Sequence, residues 1–229
     1  MVYITGDLHG DAARLAAPAW RQIRKGDTLI VCGDFGFLWD GSKKEKKRLK
    51  KLGSLPYTLL FLDGRHENFD LLAEYPVTEW NGGRAQIIEG NLIHLMRGEI
   101  YEIEDMSYFV FGGGESDDLE LRADANTWWE AEMPSAEEMN RGLENLAARG
   151  NKVDFIVTHE PSGKASGYLT RGARLDGVNV YLNRIEETVK FKRWFFGCIH
   201  MDKTMSRQHR AVFNDVVPVH DPHHKKSRK

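Results

Sequence analysis

Val2-Tyr3-Ile4-Thr5-Gly6-Asp7-Leu8-His9-Gly10 is the stretch from which the rest of the chain is read. A short apolar run, from Val2 to Thr5, stops at a glycine and is followed by Asp and His two residues apart. Strand side chains alternate with a period of two, so Asp7 and His9 project the same way from a strand end. Together they offer one oxygen and one nitrogen, a mixed set suited to Mn, Fe, Zn or Ni rather than Ca. Alone, the pair fits ordinary turn chemistry equally well, with Asp closing an element and Gly10 permitting positive φ.

The arrangement recurs four more times. Asp27 to Val31 leads into Cys32-Gly33-Asp34, and Tyr57 to Leu62 into Asp63-Gly64-Arg65-His66-Glu67. Val153 to Thr158 leads into His159-Glu160-Pro161, and Phe191 to Phe196 into Gly197-Cys198-Ile199-His200. Helical segments between these runs imply largely parallel β-α-β connections. Parallel strands place their carboxyl ends on one edge, where open α/β sheets bind ligands. Asp7, His9, Asp34, His66, His159 and His200 are therefore expected to converge. Polar residues that merely terminated strands would be Asn, Ser and Gly rather than repeated His.

Composition bounds the alternatives. A hydrophobic share of 41% and a charged share of 29% are those of a soluble globular protein. A net charge of −2 argues against non-specific nucleic-acid binding, which needs excess positive charge. No stretch is long and apolar enough for a transmembrane helix, and Met1 runs straight into a strand without the pattern of a signal peptide. Two cysteines, Cys32 and Cys198, make no disulfide framework and point to a reducing, cytoplasmic setting.

Residues 1–219 read as one domain, and 220–229 as a basic, disordered tail whose His220, His223 and His224 would bind metal only adventitiously. Within the domain, Asp11 to Ile23 reads as a helix kinked at Pro18. Lys43 to Lys51 reads as an exposed basic helix, either a solvated face or a patch for an anionic ligand. Short runs between Ala85 and Gly114 suggest antiparallel strands, and Glu115 to Asp124 an acidic loop. Ser135-Ala136-Glu137-Glu138 is a capping box ahead of a helix that ends at Gly150. Ser162 to Asn179 reads as loop, followed by a helix from about Tyr181 to Val189, and two or three short strands finish by Val219. Trp128 and Trp129 read as packing anchors. Cys32, His94 and His209 are assigned structural roles.

The five blocks, in this order, resemble the calcineurin-like metallophosphoesterase superfamily, whose signature is Asp-x-His, Gly-Asp, Gly-Asn-His-Glu/Asp, a lone His, and Gly-His-x-His. The resemblance runs from Met1 to about Val219. It implies an α/β fold, a four-layer α/β/β/α sandwich with two central mixed sheets. It also implies a phosphoric ester hydrolase with one or two divalent metals (Mn, Fe or Zn) and a metal-activated hydroxide. By correspondence, the first metal takes Asp7, His9, Asp34 and His200. The second takes Asp34 as a shared bridge, His159, and the residues at positions 65 and 198. His66 matches the histidine that protonates or stabilises the leaving oxygen, with Glu67 expected to orient it.

Two positions depart from the pattern, and both belong to the second metal. Arg65 stands where the family has Asn, and Cys198 where it has the first His of Gly-His-x-His. A guanidinium offers donors only. Pointed inward, Arg65 would disfavour the second metal or hold two phosphate oxygens itself; swung outward, it would do neither. Cys198 would be a thiolate ligand favouring Zn or Fe, or a small buried residue. The Gly-Asp-x-x-Asp-Arg-Gly block of protein phosphatases is absent, which argues against a phosphoprotein and directs attention to a small phosphate ester, nucleotide-like or otherwise. No membrane partner is expected, since no stretch is long and apolar enough to span one. A nucleic-acid substrate would have to use the Lys43 to Lys51 run. The competing reading is a degenerate member that binds a phosphate-bearing ligand or partner protein without turnover.

Overall fold

A computed structural model describes residues 1–116, 119–125, 127–170 and 175–220. Asp117 and Asp118 of the acidic insert, and the tail with His223 and His224, lie outside the described residues.

The first sheet is built from β1 (Val2–Thr5), β2 (Thr28–Val31), β3 (Thr58–Phe61), β4 (Val77–Trp80), β5 (Gly83–Glu89) and β6 (Leu92–Leu95). The second comprises β7 (Ile100–Ile103), β8 (Met106–Phe111), β9 (Phe155–Thr158), β10 (Arg193–Phe196), β11 (Lys203–Thr204) and β12 (His209–Ala211). After it the chain returns to the first sheet as β13 (Val217–Pro218), giving strand orders β13-β1-β2-β3-β6-β5-β4 and β11-β12-β10-β9-β8-β7. In each sheet four central strands run parallel, β1-β2-β3-β6 and β8-β9-β10-β12, with antiparallel pairs at the edges. Both sheets are thus mixed.

Alternation along the strands sorts side chains into three cores, which account for the four layers. Val2, Ile4 and Ile30 of the first sheet meet Tyr108, Val110, Val157 and Phe195 of the second in a buried seam. Tyr3, Leu29, Val31 and Leu59 face the other way, onto Trp20, Leu49 and Leu52. Ile156, Trp194 and Phe196 of the second sheet face Leu146, Tyr181, Leu182 and Ile185. The helices supplying these outer layers are α1 (Lys43–Gly53) on one side and α4 (Ala136–Ala148) and α6 (Gly177–Thr188) on the other. Each starts at a side-chain cap: Ser42 for α1, the expected Ser135–Glu138 box for α4, and an Asp176–Asn179 box for α6. The short helices α2 (Phe69–Ala73), α3 (Leu119–Asp124) and α5 (Gly163–Leu169) lie in the connections.

Several local expectations are corrected. Residues 11–23 form two 3-10 turns, Arg14–Ala16 and Pro18–Gln22, instead of one helix. Pro18 drives the preceding Ala17 to an extended ψ of 150°, which ends the first turn. The segment read as an acidic loop carries α3, and the one read as a Gly-rich loop carries α5 and the first turn of α6. Caps at Ser162 and Asp176 start these last two helices despite the glycines. No helix among the described residues is long and apolar enough to cross a membrane.

Candidate metal centre

The carboxyl ends of β1, β2 and β3 in one sheet and of β9 and β10 in the other meet at one place. Asp7 and His159 are fully buried there, Asp34 nearly so, and His9, His66 and His200 remain partly open to solvent. Four residues at these strand ends, Cys198 among them, hold left-handed backbone: His9 (φ 48°), Asp34 (φ 40°), Cys198 (φ 56°) and His200 (φ 50°). Such conformations cost free energy and concentrate at functional sites, where the surroundings enforce them. The enforcing bonds are visible at Asp34, whose carbonyl accepts from Leu8 N at 3.0 Å and His9 N at 2.8 Å, tying the first two blocks together.

Asp34 is the hub. Its Oδ1 accepts from the backbone N–H of Arg65 at 2.6 Å and of His66 at 2.9 Å, and its Oδ2 lies 2.7 Å from His66 Nδ1. This approach is possible because residue 64 is glycine; a Cβ there would overlap Asp34 Oδ1. Gly197 serves Asp7 likewise: a Cβ would overlap its Oδ1, and instead Cys198 N donates to both carboxylate oxygens at 3.2 Å. Burial opposes ionisation of Asp34. The His159 charge and the His66 hydrogen bond outweigh it and hold the carboxyl well below the usual range. Ionised Asp34 requires the proton on His66 Nδ1, which leaves Nε2 as the ring atom able to meet a substrate oxygen.

On one side, His9 Nε2 and His200 Nε2 are 3.0 Å apart, and His200 Nε2 is 3.0 Å from Asp7 Oδ2. His9 Nδ1 stands 3.7 Å from Asp34 Oδ2. Burial lowers the His9 pKa against the pull of Asp34 and Asp7, favouring the neutral imidazole that a metal requires. Asp7, His9 and His200 present ligand atoms all within 4.8 Å of one another. Two imidazole nitrogens and a carboxylate oxygen so converged fit a borderline divalent cation.

On the other side, His159 is wholly buried. Its Nδ1 is held by the Cys32 carbonyl at 3.1 Å, and its Nε2 has no hydrogen-bond partner, lying 3.7 Å from Asp34 Oδ1. An orphaned buried imidazole nitrogen facing a carboxylate also suits a cation. Arg65 nevertheless points inward. Its Nη2 donates to Cys198 Sγ at 2.7 Å and lies 3.6 Å from Glu160 Oε1, while Nη1 donates to the Glu115 carbonyl at 2.8 Å. Cys198 Sγ contacts Glu160 Oε1 at 3.1 Å. Burial, then the Glu160 charge, pushes the Cys198 thiol up, so it donates to Glu160 as S–H. The second position thus holds an Arg65–Cys198–Glu160 cluster beside His159.

Glu160 is the participant that the sequence reading passed over. Its signal was a carboxylate directly after a strand-end histidine, together with an inserted Arg65 that required a counter-charge. Glu67 departs from its expected contact: its carboxylate accepts from Phe35 N at 2.6 Å and Gly36 N at 3.2 Å, and Asp34 orients His66 instead. Two backbone donors on the neighbouring loop satisfy Glu67 better than one imidazole would. His94 bridges Gln86 Oε1 (2.8 Å) and Asp63 Oδ1 (3.1 Å) in a buried network, and Cys32 is buried in the core. Both match their structural assignment.

Residues 1–202 match the family model described as calcineurin-like phosphoesterase. No curated protein matches the chain significantly.

Proposed function

The chain belongs to the calcineurin-like phosphoesterase family, and on that premise we propose that it hydrolyses a small phosphate ester around one firmly held divalent metal. Asp7, His9, Asp34 and His200 would hold that metal; His159, with Asp34, would contribute to any second one. The observation that carries the reading is the convergence of Asp7, His9 and His200 ligand atoms within 4.8 Å. A bound Mn, Fe or Zn would polarise a phosphoryl oxygen as a Lewis acid and lower the pKa of the attacking water.

The chain's own groups do the rest. Asp34 fixes the His66 ring by accepting from Nδ1–H, and with both ring nitrogens protonated the ring presents Nε2–H to the leaving oxygen. As the new P–O bond forms and the ester P–O bond breaks, that proton passes to the departing alkoxide, and His66 recovers one from solvent. Arg65, steadied by Cys198, Glu160 and the Glu115 carbonyl, keeps fixed positive charge where the second metal of relatives would sit. Glu67 acts on position, not on protons, by holding the Phe35–Gly36 loop against the site.

The test is elemental analysis of untagged protein, paired with hydrolysis of phosphate monoesters and diesters in Mn, Fe and Zn. About one metal per chain and metal-dependent turnover that is lost in His9→Ala is expected. Full activity in that variant removes the assignment. The Arg65–Cys198–Glu160 cluster also favours a second reading, a phosphate-binding protein without turnover. Metal binding with no hydrolysis of any ester class would select it.

A further inference from the structure

The basic helix α1 lies beside the metal centre. A cavity of about 400 Å³ opens from His9 and His66 and is walled by Phe37, Trp39, Lys44 and Arg48. A second, of about 470 Å³, shares Lys44 and Arg48 and continues past Lys47 and Lys51 over an apolar floor that includes Leu15 and Leu52. Lys44, Lys47, Arg48 and Lys51 stand at i, i+3, i+4 and i+7, so they form one stripe along the helix about 10 Å long. Lys43, Lys46 and Lys50 line neither cavity.

Among the described residues no carboxylate lines the second cavity, so the charge of Lys44, Lys47, Arg48 and Lys51 is available to a ligand there. Two carboxylates line the first cavity, but both have backbone work. Glu45 is buried and accepts from the N–H groups of Trp39, Asp40 and Gly41 at 2.7, 2.8 and 3.1 Å. Asp40 accepts from Ser42 N at 2.8 Å. Arg48 is positioned with Cζ 5.6 Å above the Phe37 ring, which limits its rotamers at little cost in charge. A single phosphoryl group at the metal centre has no use for a row of cations leading away from it.

We infer that this groove seats the non-reacting part of the substrate and that this part is polyanionic, making the substrate a phosphoester that carries further phosphate groups. The inference rests on the phosphoesterase reading for the placement of the reacting phosphate. A short phosphate chain suits the site better than a nucleic-acid strand, because the cationic stripe is confined to two small cavities and the chain as a whole carries a net charge of −2.

The probe is inorganic tripolyphosphate, titrated calorimetrically into EDTA-treated full-length protein so that binding is read without turnover. Wild type should bind it at least tenfold tighter than orthophosphate. Lys44→Gln/Arg48→Gln should weaken tripolyphosphate at least tenfold, whereas Lys43→Gln/Lys46→Gln, with the same loss of charge, should change it less than twofold. Equal weakening by both pairs would mean diffuse attraction and overturn the inference, as would no preference over orthophosphate. Tighter binding of a single-stranded oligonucleotide, lost in the same Lys44/Arg48 pair, would also overturn it and assign the groove to nucleic acid. With metal restored, hydrolysis of simple esters without a tripolyphosphate preference defeats this inference alone. Groove binding without hydrolysis of any ester defeats only the enzymatic reading.

Discussion

His66 Nδ1 lies 2.7 Å from Asp34 Oδ2, so the carboxylate that helps gather the metal ligands also sets the orientation of the proposed acid. The two functions are coupled through one side chain. His66→Ala should lower kcat by about 10²–10⁴-fold on alkyl phosphates, whose leaving groups need a proton. The loss should be much smaller on p-nitrophenyl esters. Equal losses on both, measured at saturating metal, would remove the leaving-group role from His66.

Reversal of the two departures tests the account of the second position. Arg65→Asn with Cys198→His removes a fixed cation and supplies two ligand types beside the orphaned His159 Nε2. Metal content by elemental analysis should rise from about one toward about two per chain, with generic phosphatase activity rising in parallel. Unchanged metal content would show that Arg65 and Cys198 do not govern occupancy.

The close approach at Gly64 predicts a sharp steric effect. In Gly64→Ala the new Cβ overlaps Asp34 Oδ1, and the hydrogen bonds that the Arg65 and His66 backbone N–H groups donate to it cannot both survive. The expected outcome is loss of metal-dependent activity together with a fall in stability of about 1–3 kcal/mol, from overpacking. Calorimetric melting and activity, taken together, check it; a fully active variant would mean that the loop yields freely.

Acid stability should depend on Asp63. This carboxyl is fully buried, and although burial opposes its charge, Arg97 and His94 hold its pKa well below the usual value. A depressed folded-state pKa gives stability that is present above the unfolded value, near 3.8, and lost as pH falls below it. Urea midpoints should therefore fall steeply below about pH 4 in wild type. Asp63→Asn should be less stable at neutral pH, by about 3–5 kcal/mol as a broken buried pair, and should show a flatter acid limb.

How far the sequence foretold this molecule depended on which physical rule governed each segment. The strands that build the site are continuous apolar runs, and the two sheets with helices outside follow from them and from the ordered blocks. Asp7, His9, Asp34, His66, His159, Cys198 and His200 do meet, because parallel strands carry their ends to one edge. Residues 11–23 differ from the helix expected because the backbone restriction before Pro18 overrides the helical periodicity. Helix α5 was hidden because its Ser162 cap outweighs its glycines. The partners that Glu160 and Glu67 choose are illegible for another reason: hydrogen-bond choice depends on which loops face each other, and spacing along one chain carries no record of that.

The division of the chain between the sheets bears on how the protein assembles. Residues 2–95 supply six of the seven strands of the first sheet and residues 100–211 all of the second, with β13 crossing back. Asp7 and His9 come from the first portion and His159 and His200 from the second. A cation shared by Asp7, His9 and His200 would rivet two halves of the polypeptide across their seam. Chelation would then remove one tie across the seam, which its apolar core still holds, as well as stop chemistry, and a loaded centre would certify that the chain had been assembled correctly.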